Sequence, residues 1–379
     1  MAKAIMRDGR YDIRVMVIGG ERDYVYDGVQ VYSVSVCKIG SSDYFSCVTD
    51  WLKKWLFLRK LKTIGIDLEK IVVCHINIVE RLCHYGVWIK KKNLKCFVFA
   101  HHHWSGLFSL PGGKMNYFSA LRAYEYWRLC RDFWAIDAHV FCSEHTRRCF
   151  GKLYPTRDFS NEIDLKICLP RLLRDKYFMK YRESVVFYNG INTRLFSSST
   201  NIKPLHGKFR IGCVANFTPS KSQITLIKAF ALFVSHALDA ELIFVGSGMA
   251  LDRCKKWVAT HELTGFVTFI HEMDHKELPE FYQSLSLFVL PSYFEAFNCT
   301  IIEAWACGVP CFTTDVISFK EVLSSEDRKT WLFPAKDEKT LADKLLWAYR
   351  TRPMRQRLVT DLNIDKITHQ FLDWVELHA

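Results

Sequence analysis

The second half of the chain repeats one pattern: a short continuous run of β-branched and aromatic residues, then a helix-length segment with apolar positions at helical spacing. The runs are Phe209–Val214, Glu241–Val245, Val267–Ile270, Leu287–Leu290 and Pro310–Thr314, with Gln223–Leu238 and Asp252–Leu263 among the segments between them. Continuous apolar runs need cover on both faces, so the pattern predicts a parallel sheet sandwiched by helices. Such a sheet binds ligands where its strands end and its helices begin. The first half repeats the rhythm less clearly, with Ile13–Ile18, Ile71–Cys74, Cys96–Ala100, His139–Cys142 and Ser184–Tyr188 as expected strands. The polar stretch Ser197-Ser198-Ser199-Thr200-Asn201, followed by Pro204 and Gly207, predicts a linker. Gly151 to Arg182 carries no pattern that places it.

Composition fits two cores: 379 residues, 49% hydrophobic and 15% aromatic, exclude a disordered chain. Charge divides the halves. Residues 1–200 hold 32 Lys+Arg against 19 Asp+Glu, net +13, which leaves 20 against 21, net −1, for the rest. Two surfaces with different tasks are expected. The longest stretch without charge, Cys96 to Gly113, is broken by three His, a Pro and a Gly pair, so no membrane-spanning helix is expected. The first residues lack the apolar core of a signal peptide. Fourteen cysteines without a Cys-x-x-Cys pair fit reduced thiols in a cytoplasmic protein. No nucleic-acid-binding motif accompanies the basic half.

The most informative stretch runs from Pro291 to Pro310, PSYFEAFNCTIIEAWACGVP. Glu295 and Glu303 are separated by seven residues across a strand-to-helix junction. Asn298 is a suitable helix cap, so the backbone N–H groups after it would face the ligand crevice and suit phosphate or sugar oxygens. Two carboxylates beside such a helix start point to a polyhydroxylated, phosphorylated ligand.

This stretch resembles the Glu-x7-Glu signature of retaining glycosyltransferase family 4, also called glycosyl transferases group 1, which has the glycosyltransferase-B fold. Ala296 and Asn298 stand where the family pattern has glycines. The resemblance implies an α/β architecture of two Rossmann-like parallel-sheet domains facing a cleft. The corresponding segments are an acceptor-binding domain over residues 1–195, a donor-binding domain over 196–352, and helices over 353–379 that cross back to the first domain. It also implies that Glu295 lies by the donor sugar, with Ala296, Phe297, Asn298 and Cys299 lining the donor site, and that Glu303 accepts the ribose hydroxyls.

Other segments resemble the family in order. Ile211 to Lys221 matches the first donor-domain strand and its Pro-x-Lys turn, which implies that Lys221 faces the donor diphosphate. Asn216 stands where many members have an Arg. Gly246-Ser247-Gly248 follows a strand and lets backbone approach a ligand closely. Ile270, at the end of the next strand, matches the position that contacts the nucleobase. Phe187 to Phe196 is similar to the Asn-Gly-x-Asp-x-x-x-Phe segment that ends the first domain.

In the first half, the family keeps a histidine after the strand Cys96–Ala100, and His101 or, by a one-residue slip, His102 matches it. Neighbouring side chains on a strand point to opposite faces, so the histidine run is not a metal site by itself. Trp51–Lys62 reads as a helix with Trp51, Leu52, Trp55, Leu58 and Leu61 on one face and Lys53, Lys54, Arg59, Lys60 and Lys62 around it. It suits an anionic membrane surface and packing on its own sheet equally well. The family's first strand and its glycine loop have no counterpart, since Met1 to Gly9 reads as the end of the helix that follows them and Gly19-Gly20 has no helix pattern behind it.

The expectation is a retaining hexosyltransferase. It would use a UDP- or GDP-linked sugar as co-substrate, with no other cofactor and no metal, and a glycan or lipid-linked acceptor. An inactive member that binds nucleotide or glycan is the alternative, suggested by Asn216 and the missing strand.

Overall fold

A computed structural model describes residues 1–18, 22–34, 46–77, 79–103, 135–153, 183–198, 207–237, 239–315, 318–353 and 362–379. Gly19-Gly20, most of the Gly151–Arg182 segment and the linker positions from Ser199 to Pro204 lie outside them, as does the side chain of Trp51. The chain forms two compact units, Met1–Tyr188 with Asp365–Ala379, and Asn189–Ile364. The segment Asn189–Leu195, expected at the end of the first domain, therefore lies in the second unit.

The second unit is a six-stranded parallel sheet made of β8 (Phe209–Val214), β9 (Ala240–Val245), β10 (Val267–Ile270), β11 (Leu287–Leu290), β12 (Cys311–Thr314) and β13 (Leu332–Phe333). The strand order is β10-β9-β8-β11-β12-β13. The order grows outward from β8 in one direction and then restarts at β11 in the other, the doubly wound arrangement whose ligand crevice opens at the ends of those two strands. β11 is buried at every position, as its uninterrupted apolar run requires. Helices α5 (Gln223–Val234) and α10 (Glu338–Thr351) pack together on one side, with Leu226, Phe230 and Phe233 meeting Leu341, Leu345 and Ala348 in one core. The other described helices of this unit are α6 (Leu251–Thr260), α7 (Leu278–Gln283), α8 (Cys299–Ala306) and α9 (Ser325–Trp331). Asp337 caps α10 by accepting from Thr340 N at 2.9 Å.

The first unit carries a four-stranded parallel sheet, order β4-β5-β6-β7, from β4 (Val73–Ile76), β5 (Phe97–His102), β6 (Ala138–Phe141) and β7 (Ser184–Val186). A second sheet has β1 (Val15–Ile18) parallel and β2 (Tyr24–Tyr26) antiparallel to β3 (Val29–Val34). β2 and β3 form a hairpin whose turn, Asp27-Gly28, has φ 49° and 80°. Both central residues are then at positive φ, as a two-residue hairpin turn matched to the strand twist demands. The sequence pattern did not reveal β2, because Tyr24, Val25 and Tyr26 are all exposed.

The described chain opens on α1 (Ala2–Asp8) and then β1. The last helix, α11 (Ile364–His378), lays Phe371, Leu372 and Val375 on Phe97, Phe99, Ala138 and Val140 of the first unit. Arg10 ties α1 to it through Asp373 at 2.7 Å. Helix α2 (Ser46–Thr63) buries Phe57 and Leu61 against Tyr85, Ile89 and Val98, the first two from α3 (Val79–Lys90), and α4 (Glu144–Leu153) follows β6. The buried face of α2 keeps Leu58 and Leu61 of the expected one and adds Phe57, while Trp55 is 46% exposed, with the Arg59 guanidinium 5.0 Å from its ring centre. Of the expected basic ring, Lys60 is engaged by Asp23 at 2.7 Å. Among the described residues no helix is long and apolar enough to cross a membrane.

Candidate active site

The turns that follow β8 and β11 meet at the point where the strand order reverses. After β8 the chain runs through Ala215-Asn216-Phe217 into the 3-10 turn Pro219–Lys221, ended by Ser222 at φ 50°. After β11 it runs through Ser292 to Asn298 and into α8. Tyr293 N donates to Ser220 O at 3.0 Å and fastens one turn to the other. Lys221 Nζ forms an ion pair with Glu295 Oε1. Asn298 Nδ2 donates to the same oxygen at 2.8 Å, while Asn298 Oδ1 accepts from Thr300 N at 2.8 Å and caps the helix. Glu295 and Asn298 are 8% and 9% exposed, so this is a largely desolvated charge pair at a helix start. Anionic ligand oxygens are favoured there by the lysine and by the positive end of the helix dipole. Ala296 and Phe297 are buried and Cys299 is half-buried at the first position of the helix.

Eight positions after Glu295, Glu303 sits inside α8 at 7% exposure. Its Oε2 accepts from Tyr282 Oη at 3.1 Å, and its Oε1 lies 3.4 Å from His275 Nε2. Burial raises its pKa, opposed by the His275 charge and by both hydrogen bonds. Tyr282 is fully buried, and burial together with the Glu303 charge pushes its phenol well above the ordinary value. Neither residue stood out in the sequence. Tyr282 reads as one more core aromatic of a short helix, and His275 lies in a loop of mixed charges, 28 residues from its partner.

Gly246 and Gly248 have φ 140° and 143°. A Cβ at Gly246 would lie 2.2 Å from Ala215 O and one at Gly248 2.5 Å from Phe217 O. Both glycines thus approach the chain's own backbone closely. Phe217 N donates to Ser247 O at 2.8 Å and Ala250 N to Phe217 O at 3.0 Å, so the glycines hold the Asn216 loop in place. Asn216 is exposed and offers no charge, and its carbonyl accepts from Gln223 Nε2 at 3.0 Å. Ile270 O accepts from Gly246 N at 2.9 Å, which binds the strand end expected at the nucleobase to the same loop.

In the first unit, β5 extends through His102, and its two last histidines face opposite ways, as strand alternation dictates. His102 Nε2 meets His139 Nδ1 at 2.9 Å and its ring stacks on Phe141. His101 Nδ1 meets His75 Nε2 at 3.2 Å, its ring stacks on His103 at 4.0 Å, and its Nε2 has no hydrogen-bond partner among the described residues. Desolvation drives all four rings toward the neutral form: His75 and His139 fall to about 3, and His101 and His102 fall well below the ordinary value. Among the described residues no group of three or more His, Cys, Asp or Glu is arranged to hold a metal ion.

Residues 199–361 match the family model described as glycosyl transferases group 1. Over 167 residues the chain is 29% identical to the lipopolysaccharide core biosynthesis mannosyltransferase LpsB of Rhizobium meliloti, covering 41% of this chain and 47% of that protein. Over 147 residues it is 31% identical to the N-acetyl-alpha-D-glucosaminyl L-malate synthase of Bacillus anthracis, covering 37% and 38%. The matched part thus spans about half or less of these relatives. Sucrose-phosphate synthase from Thermosynechococcus elongatus has a similar structure, with TM-score 0.71 at 16% identity over 99% of this chain and 90% of that one. The Anabaena protein HepE, solved in complex with UDP and glucose, gives 0.64 at 15% over 92% and 86%. The shared architecture is the glycosyltransferase-B fold, α/β with parallel sheets.

Proposed function

We propose that the protein, whose residues 199–361 match the family model of glycosyl transferases group 1, is a retaining glycosyltransferase that moves a hexosyl unit from a UDP- or GDP-linked sugar to a hydroxyl of a glycan or lipid-linked acceptor. The observation that carries this reading is the meeting of Lys221, Glu295 and Asn298 where the strand order of the second sheet reverses. Lys221 and the start of α8 would take the charge that grows on the departing nucleotide diphosphate, which lowers the barrier where charge develops. That division of labour needs no metal. A diphosphate drawn to Lys221 competes with Glu295 for it, which frees the carboxylate for a sugar hydroxyl. Attack and departure then occur on the same face of the sugar. Asn216 leaves the diphosphate one charge partner short of the family's arginine.

His101 Nε2, on a buried neutral ring, is suited to hold a hydroxyl of the sugar or acceptor. His102 has its Nε2 already committed to His139, so His101 is the better candidate of the two. The basic first half supports an acceptor that is anionic or embedded in an anionic surface on the cytoplasmic side, with the outer face of α2 around Trp55 and Arg59 as the contact.

The test is incubation of the full chain with a panel of UDP- and GDP-sugars, with and without EDTA, followed by NMR of the released or transferred sugar. Donor binding, slow hydrolysis with retained anomeric configuration and loss of both in Glu295→Ala support the enzyme. Donor binding without any turnover leaves a nucleotide-binding family member. If no donor binds, the reading fails.

A further inference from the structure

Both oxygens of the Glu303 carboxylate are engaged from outside its own helix. The Tyr282 phenol donates to one oxygen at 3.1 Å from a ring that is 0% exposed and set edge-on to Phe288, with centroids 5.5 Å apart. The His275 imidazole reaches the other at 3.4 Å, at the long end of hydrogen-bond range. Its side chain is 58% exposed, yet the ring is held from behind by Phe196, edge-on at 5.1 Å. Phe196 closes the Asn-Gly segment at the start of this unit and is 2% exposed. A loop residue and a helix residue thus converge on one buried carboxylate, and the end of a distant turn backs the first of them.

A tie between α7 and α8 alone would not call for a charge, because burying a carboxylate costs several kcal/mol unless partners offset it. A neutral amide would accept from Tyr282 equally well. An ionised carboxylate differs in being an acceptor only, with lone pairs left over for two further donors. Two adjacent hydroxyls of a ribose are such donors.

We propose that Tyr282 and His275 are positioning residues that fix the Glu303 carboxylate for the vicinal hydroxyls of the donor nucleotide, with Phe196 holding His275 in place. The proposal rests on the reading of Glu303 as the ribose acceptor. The two residues also keep the carboxylate ionised, since their hydrogen bonds oppose the effect of burial. Ribose recognition therefore weakens as pH falls toward the carboxyl range, and loss of either partner moves that limb to higher pH. The other titratable groups around the pair are Asp274, Lys276 and Glu277 beside His275, and Cys307 and Cys311 near Tyr282.

The experiment is calorimetric titration of the full chain with UDP, GDP and their 2′-deoxy forms, between pH 5 and 8. The expected wild-type result is a preference of about tenfold or more for the ribo form of the nucleotide that binds, the worth of one hydrogen bond to a charged group. Glu303→Gln removes that preference. Tyr282→Phe and His275→Ala reduce it about threefold to tenfold and move its loss to higher pH, whereas His275→Gln, which keeps an N–H donor, restores it at pH 7. A Glu303→Gln variant without preference beside Tyr282→Phe and His275→Ala variants with the wild-type ratio and pH profile overturns the proposal and leaves the ribose reading standing. Absence of any preference in the wild type, or of any binding, overturns the reading beneath it and the proposal together. Should Tyr282→Phe fail to fold, His275→Ala on its exposed loop decides.

Discussion

The strand ends of the two units solve the problem of buried polarity in opposite ways. In the second unit, charges are kept and paired: Lys221 with Glu295, and Glu303 with a phenol and an imidazole. In the first, β4, β5 and β6 carry imidazoles that burial holds neutral and that hydrogen-bond one another, His101 to His75 and His102 to His139. Paired charges suit a ligand that brings its own charge, since the incoming anion exchanges partners rather than meeting bare field. Neutral rings suit hydroxyls, which need a donor and an acceptor but no counter-charge. The difference agrees with a donor half and an acceptor half.

The largest effect expected is on turnover. Lys221→Ala and Glu295→Ala should each lower the rate of donor hydrolysis or transfer by about 10²–10³-fold, the scale of losing one group that stabilises developing charge. His101→Ala should cost less, and His102→Ala should show mainly in stability, because its ring is packed on Phe141 and bonded to His139. Equal rate losses for His101→Ala and Lys221→Ala, measured on the same donor, would erase the contrast between the halves.

Acid should separate the units next. The folded-state pKa values of His75 and His139 fall from 6.5 to about 3, so the unfolded chain binds more protons than the native one below neutrality. Their contribution to stability is complete above pH 6.5 and is lost as pH falls from there toward 3, at up to about 1.4 kcal/mol per pH unit for each ring. Hydrogen exchange at pH 7 and pH 5 should show β4, β5 and β6 losing protection before β8 and β11. His139→Gln should flatten that pH dependence. Loss of protection in both sheets together would show that the buried histidines do not set the order.

How far each half could be read in advance follows the same division. The second sheet was legible because strands buried on both faces are continuous apolar runs, and because Glu295, Asn298 and Glu303 lie within one stretch of sequence. Tyr282 and His275 were not, since they reach Glu303 from 21 and 28 residues away and carry no pattern of their own. In the first unit, Tyr24–Tyr26 escaped notice because an exposed edge strand has no buried face to leave a period of two. In helix α2 the expected stripe overlaps the buried face at Leu58 and Leu61, but the core also takes Phe57, which the stripe left out, and leaves Trp55 exposed. Gly246 and Gly248 were legible as close-approach positions, but not what they approach. The surface they approach is the Ala215–Phe217 backbone, a contact no local pattern encodes.

That backbone contact carries a third prediction. Gly246→Ala places a Cβ against Ala215 O at a φ that side chains rarely adopt, so it should destabilise the second unit by about 2 kcal/mol or more. Thermal unfolding gives the number, and nucleotide titration should show weaker binding through the displaced Asn216 loop. A stable variant with normal stability and weaker binding would return the glycine to direct ligand contact.

The smallest effect on stability is expected at the outer face of α2, where the contrast between the units becomes one of surfaces. Trp55 and Arg59 are exposed, so Trp55→Ala and Arg59→Gln should each leave unfolding within about 0.5 kcal/mol of the wild type. Phe57→Ala, two residues away and 4% exposed, should cost about 3–5 kcal/mol. The same two surface variants are the sensitive ones for membrane binding. A basic residue near an anionic bilayer is worth about 1 kcal/mol, so Arg59→Gln should lower the fraction that sediments with phosphatidylserine-containing vesicles, increasingly so at low salt. Lys60→Gln should do less, because Asp23 already holds that ammonium. Unchanged sedimentation in the Arg59 and Trp55 variants would leave α2 as packing alone, and the basic charge of the first unit would then have to meet the acceptor by some other face.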